Sequence, residues 1–123
     1  LTKEHNVIKC ARKIKELGPE LVIIKKGEHG FILFYNDIIF ASPAVPIENV
    51  VDPTGAGDCF AGGFLGHLSK IDKINEKTIK EASIYGNIMG SFAVEGFGIN
   101  KILNTSTKDI DERLKSYKEL VTF

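Results

Sequence analysis

Four consecutive β-formers, Leu21-Val22-Ile23-Ile24, set the terms on which this chain can fold. A run without polar alternation reads as a strand covered on both faces, and such strands are usually parallel and central. A strand of that kind needs neighbours at both edges and helices over both faces. No second long run of the type occurs among the 123 residues. Either the partner strands come from another molecule, or the chain is the carboxy-terminal part of a larger doubly wound α/β sheet, and the second reading is the expectation. That the chain opens on Leu1 rather than methionine agrees with it.

The rest of the chain is β-rich first and helical afterwards. Thr2 caps a predicted helix from Lys3 to Leu17, with Val7, Cys10, Ala11, Ile14 and Leu17 on one stripe and Gly18-Pro19 as its stop. Phe31 to Tyr35 and Ile38 to Ala41 flank Asn36-Asp37, two residues that tolerate positive φ, and so pair as a hairpin. Ser42 to Val51 holds Pro43 and Pro46 and reads as a loop or edge strand. Beyond Asp52 the periodicity is helical. Phe60, Ala61, Phe64, Leu65 and Leu68 predict a helix starting between Gly55 and Asp58. Ile79, Ala82, Tyr85, Gly86, Met89 and Ala93 predict a second, capped by Asn75, and both read as largely buried. Ile110, Leu114, Tyr117 and Val121 predict a last helix from Ser106 or Thr107, with the Lys, Asp and Glu of residues 108 to 119 on its solvated face.

Composition narrows the function classes. With 43% hydrophobic and 26% charged residues the chain is an ordinary globular one, a single partial domain over 1–123. Sixteen basic residues balance sixteen acidic ones, which removes the electrostatic footprint of a nucleic-acid or membrane-surface binder and points to a small-molecule partner. Cys10 and Cys59 have neither metal-ligand spacing nor a disulfide-dense pattern, and no apolar run approaches the roughly 18 to 20 residues that span a bilayer. A cytoplasmic location follows as the expectation.

The chemistry concentrates in Asp52-Pro53-Thr54-Gly55-Ala56-Gly57-Asp58-Cys59-Phe60-Ala61-Gly62-Gly63, where a loop becomes a helix. Two glycines and an alanine let the backbone turn tightly, so that several N–H groups converge on one point. The helix amino terminus adds its free amides and positive dipole end, and a phosphoryl group is the natural guest. A carboxylate at Asp58 would repel that guest unless the site uses it for proton chemistry. Asp58 is therefore a candidate base for the hydroxyl that attacks phosphorus. A bare Gly-x-Gly-Asp would equally serve as a helix cap with tight packing. The longer string decides between the two.

That string resembles the signature of the PfkB carbohydrate kinases, the ribokinase and adenosine kinase family, which reads Asp-x-Thr-Gly-Ala-Gly-Asp-x-Phe-x-x-Gly. Here Asp52, Thr54, Gly55, Ala56, Gly57, Asp58, Phe60 and Gly63 match it without a gap. Lys25-Lys26-Gly27-Glu28-His29-Gly30 after a strand resembles the family's Gly-x-x-Gly turn that touches nucleotide. The resemblance implies a ribokinase-like doubly wound three-layer sandwich, of which this chain is the nucleotide-binding and catalytic half. It implies an ATP-dependent kinase acting on a hydroxyl of a sugar or nucleoside, with Mg²⁺ accompanying ATP. Asp58 would be the catalytic base, Gly55, Ala56 and Gly57 the anion hole, and Gly27 and Gly30 the border of the ATP site. Asp52 and Thr54, with carbonyls from Val94 to Gly98, would hold a monovalent cation such as K⁺, although Asp52 fits an ordinary turn fixed by Pro53 equally well.

The departures and gaps are informative too. Pro53 stands where many relatives have threonine. Lys25-Lys26-Gly27 replaces a Thr-x-Gly, so Lys25 or Lys26 would reach a phosphate in place of a hydroxyl contact. No Gly-x-x-x-x-Gly-Lys string occurs, which excludes the P-loop route. In the family the sugar-binding residues, the lid and an Asn-x-x-Glu element lie well before the catalytic aspartate, so they would lie upstream of Leu1 and the chain alone would be inactive. The rival reading is a non-catalytic nucleotide-sensing module on the same fold, which retention of Asp58 opposes. A homodimer is open to either. His5, His29 and His67 share no ligand spacing and read as surface or loop residues, and Cys59 as a small buried thiol. Gly62, Gly63 and Gly66 within a helix imply close packing, and Phe92 and Phe97 could edge a nucleotide pocket, although Phe92 falls on the apolar face of the preceding helix and reads as core.

Overall fold

The connection Lys26–Gly30 is too short for a parallel crossover, which needs a dozen or more residues, so the strands it joins must run in opposite directions. The computed structural model describes residues 20–48, 50–51, 55–96 and 105–122 and shows that arrangement. Strand β1 (Leu21–Lys25) pairs antiparallel with β2 (Phe31–Tyr35), which pairs antiparallel with β3 (Ile38–Ser42), in the order β1-β2-β3. Leu21 to Ile24 thus run antiparallel to β2, and among the described residues no strand lies at their other edge, where the parallel neighbours were expected. The predicted helix from Lys3 to Leu17 lies outside the described residues.

The strand apolar on both faces is β2, the middle one. Val22 faces Phe34 and Ile24 faces Ile32 across the β1–β2 ladder, and these four side chains pack as one cluster. The alternate residues of β2, Phe31 and Leu33, are also buried, and Phe31 meets Phe40 of β3 edge to face with ring centroids 6.1 Å apart. Each such side chain taken from water stabilises by about 1.5–3 kcal/mol. Asn36 closes the hairpin at φ 52°, a left-handed conformation that asparagine tolerates better than most residues.

These strands belong to one compact unit and the remaining elements to another, the division falling between Pro43 and Ala44. In the second, α1 (Ala56–Ser69), α2 (Glu76–Ala93) and α3 (Thr107–Val121) follow one another. Asn75 and Thr78 cap α2 reciprocally: Thr78 N donates to Asn75 Oδ1 at 3.0 Å and Asn75 N to Thr78 Oγ1 at 2.9 Å. Ser106 and Asp109 repeat the device at α3, with bonds of 3.0 and 3.1 Å. Helix α2 is the core helix, burying Ile79, Ala82 and Gly86 along one flank and Ile88 and Phe92 along another. Ile88, Phe92 and Tyr117 of α3 form a cluster completed by Val45, Ile84, Ile110 and Leu114. The expectation that α1 is also largely buried does not hold among the described residues: only Phe60 and Phe64 are enclosed, and Leu65 is 62% exposed.

Candidate active site

Helix α1 starts where it does because Gly55 turns the backbone at φ 86°, a conformation that side-chain-bearing residues rarely adopt. A helix cap is ordinarily extended, with a side-chain oxygen taking one of the first amides. Gly55 has no such oxygen, and no side chain caps the helix among the described residues. Cys59 N is the first amide to find a helix carbonyl, Gly55 O at 3.0 Å. The amides of Ala56, Gly57 and Asp58 precede it in the ladder and have no intrahelical acceptor. Gly55 and Gly57 are exposed and Ala56 is half-buried, so the turn lies at the surface of its unit. Asp58 is exposed in the same first turn, where the helix dipole favours a negative charge by about 0.3–1 kcal/mol. The structure thus places Gly55, Ala56, Gly57 and Asp58 together on one turn, with the Asp58 carboxylate beside the first amides of the helix.

Two glycines of α2 hold that turn in place. A Cβ on Gly90 would sit 3.2 Å from the Ala56 carbonyl oxygen, and one on Gly86 would sit 2.7 Å from the Phe60 carbonyl oxygen. From the α1 side, a Cβ on Gly63 would meet Gly86 Cα and Tyr85 O at 3.0 Å. The first two turns of α1 therefore lie backbone to backbone against α2. Gly63 has the close packing the sequence implied, whereas Gly62 and Gly66 have nothing within 4 Å among the described residues. A further tie comes from the preceding segment: Val51 N donates to Val94 O at 2.7 Å, which joins the residue before Asp52 to the loop after α2. Asp52 and Thr54 themselves lie outside the described residues, as do Gly98 and Phe97. Among the described residues no three His, Cys, Asp or Glu side chains cluster as metal ligands.

The second glycine turn stands in the other unit and is described by itself. Gly27 (φ 57°) and Gly30 (φ 90°) bracket a single 3₁₀ turn closed by Lys26 N to Gly30 O at 2.7 Å, His29 N to Lys26 O at 3.0 Å and Gly30 N to Gly27 O at 3.2 Å. At φ 90° and ψ −149°, Gly30 occupies a region essentially confined to glycine. Gly27, Lys25, Lys26 and Glu28 are exposed, and Gly30 is buried.

Several side chains fall elsewhere than the sequence suggested. His67 is no surface residue: its ring stacks on Tyr85 with centroids 4.2 Å apart, 3.7 Å from the Glu81 carboxylate. His29 is exposed on the turn, as expected, and His5 is outside the described residues. Cys59 is half-buried rather than enclosed, and Phe92 is core. The close approach of Gly86 and Gly90 to α1, and the ion pair of Glu95 with Arg113 at 2.7 Å, escaped the sequence reading. The Gly86 to Gly90 spacing, two weak helix formers four apart on one face, was the signal for the first pair.

Residues 1–106 match the family described as pfkB family carbohydrate kinase. A cytidine kinase of Thermococcus kodakarensis is 44% identical over 72 residues, 57% of this chain and 26% of that protein. Among solved structures, aminoimidazole riboside kinase from Salmonella enterica, complexed with aminoimidazole riboside and an ATP analogue, is 30% identical with a TM-score of 0.81 over 93% of this chain and 38% of its own. Ribokinase from Thermotoga maritima is 31% identical with a TM-score of 0.75, covering 89% of this chain and 35% of its own. The chain thus spans well under half the length of each, and its elements form part of the ribokinase-like α/β fold. The likeness runs through the strands and the helices alike, and not through the glycine turn alone: this chain belongs to the pfkB family of carbohydrate kinases.

Proposed function

We propose that the protein to which this chain belongs transfers the γ-phosphoryl group of ATP to a hydroxyl of a sugar or nucleoside, and that residues 55–58 carry the transfer. The observation that carries the reading is the exposed start of α1, where no side chain among the described residues caps the first amides and the Asp58 carboxylate shares their turn. In this reading the Asp58 carboxylate accepts the proton of the acceptor hydroxyl as its oxygen attacks the γ-phosphorus. The bond from that phosphorus to the β-γ bridging oxygen breaks, and ADP leaves with the electron pair. The amides of Ala56, Gly57 and Asp58 donate to the oxygens of the migrating group, where charge is spread in the transition state. Mg²⁺ bound with ATP would neutralise the phosphate charge. The kinase relatives support the reaction class, and the aminoimidazole riboside kinase complex with an ATP analogue supports nucleotide as the donor.

The Gly27 to Gly30 turn borders the nucleotide in this reading, with Lys25 or Lys26 toward a phosphate. Asp52 and Thr54 would hold a monovalent cation such as K⁺. The Val51 to Val94 hydrogen bond supports the latter, because it ties the segment before Asp52 to the loop that would supply carbonyls. The sugar or nucleoside is selected outside this chain, which by itself turns over nothing. The test is a coupled ADP-release assay on the full-length protein with MgATP and a panel of sugars and nucleosides. At least one acceptor should raise ADP release well above the ATP-only rate, and Asp58→Asn should remove the gain. ATP binding by calorimetry with no acceptor turned over would favour the nucleotide-sensing module instead.

A further inference from the structure

The buried stripe of α3 is apolar at Ile110, Leu114 and Tyr117 but carries one charge, Arg113, on the same face. A guanidinium half-withdrawn from water is unfavourable there unless it is paired. Among the described residues its partners are Ser91 and Phe92 on the last turn of α2 and Glu95, two residues beyond the helix. Arg113 Nη1 donates to Ser91 Oγ at 3.1 Å, and the guanidinium carbon sits 3.7 Å over the Phe92 ring. The Glu95 carboxylate lies 2.7 Å from Nη1, with its oxygen off the N–H direction, so that contact acts through charge rather than hydrogen-bond alignment. Both side chains of the pair are largely buried, at 21% and 27% exposure, where an ion pair is screened less than at an open surface.

The turn that Arg113 grips is also the one that supports the catalytic loop. Gly90 opens it toward the Ala56 carbonyl, and Val94 O accepts the amide of Val51. Val51 is 44% exposed, so little side-chain burial fixes it, and its amide is tied to the Val94 carbonyl. Residues 90–95 thus touch the loop on both sides of Asp52 to Gly55, once through position 51 and once through position 56. We propose that Arg113 and Glu95 are positioning residues for phosphoryl transfer: the pair clamps the end of α2, and through the Val94 carbonyl it fixes the approach of the chain to the Gly55 turn. This inference rests on the kinase reading above.

The test uses the full-length protein and two readouts. Arg113→Met keeps the side-chain stem and removes the charge, and Glu95→Gln removes the charge with almost no change in volume. In each, amide hydrogen exchange at Val51 should quicken about tenfold or more, while the amides of β2 stay protected. kcat should fall about tenfold with KM for ATP within about twofold, since small misplacements of reacting groups lower the rate more than binding. The exchanged pair Arg113→Glu with Glu95→Arg should recover part of both losses. Unchanged exchange at Val51, or faster exchange with kcat intact, would overturn the proposal. So would a loss of protection spread evenly through α1 and α2, which marks general loosening. A wild-type protein with no turnover on any acceptor would overturn the kinase reading instead, and the exchange measurement then decides the clamp alone.

Discussion

The Ala56 carbonyl oxygen lies 3.2 Å from the point where a side chain on Gly90 would begin. The first turn of α1, which carries the amides of Ala56, Gly57 and Asp58, therefore rests on the bare backbone of α2. Its position is set by the absence of a methyl group.

Adding that methyl should be felt in both stability and rate. At Gly86→Ala the new carbon would meet the Phe60 carbonyl oxygen at 2.7 Å, and rigid backbone must move. A loss of about 1–3 kcal/mol is expected from such overpacking, read as a lower urea midpoint with unchanged slope. Gly90→Ala, with 3.2 Å to Ala56, should cost less stability but lower kcat more than it raises KM for ATP.

Asp58→Asn preserves shape and removes the carboxylate proposed as the base. Turnover should drop by about 10²–10⁴, the usual contribution of a positioned proton acceptor, while ATP affinity changes little. Single-turnover rates and nucleotide titration together check it. Full activity in the variant would refute the assignment.

Gly55 is a backbone requirement rather than a side-chain one. Its φ of 86° is strained for any residue with a Cβ, and Gly55→Ala should lose about 1–2 kcal/mol although nothing described lies within 4 Å of the added carbon. Gly57→Val should leave the fold intact and crowd the anion turn, so that kcat collapses in a protein with a near-normal unfolding curve.

Away from the site, Asn75→Ala and Ser106→Ala each remove one half of a reciprocal cap. Each should lower stability by about 1 kcal/mol with kinetic constants unchanged. The effects should add, because the two helix ends share no partners. Denaturant unfolding of the single and double variants measures this.

Much of this was legible from residue order because it depends on local chemistry. Asn36-Asp37 closes the hairpin between Tyr35 and Ile38, and Asn75 and Ser106 start the helices they were expected to start. Gly55 to Asp58 open a helix as their types demand. That β1 and β2 run antiparallel was also legible, because Lys26–Gly30 is too short for a parallel crossover, whereas what lies at the other edge of Leu21–Lys25 was not. His67 was misread because stacking on Tyr85 depends on how two helices meet.

Residue order by itself determined the family, the turns and the caps, since glycine's freedom at positive φ and an asparagine or serine oxygen at a helix start act over a few residues. Only the tertiary structure decided that Gly86 and Gly90 seat the first turn of α1, that Val94 holds Val51, and that Arg113 reaches the end of α2 from 22 positions beyond Ser91. Contacts of that range are set by which helix faces meet and how closely their backbones approach, and no local pattern encodes that distance.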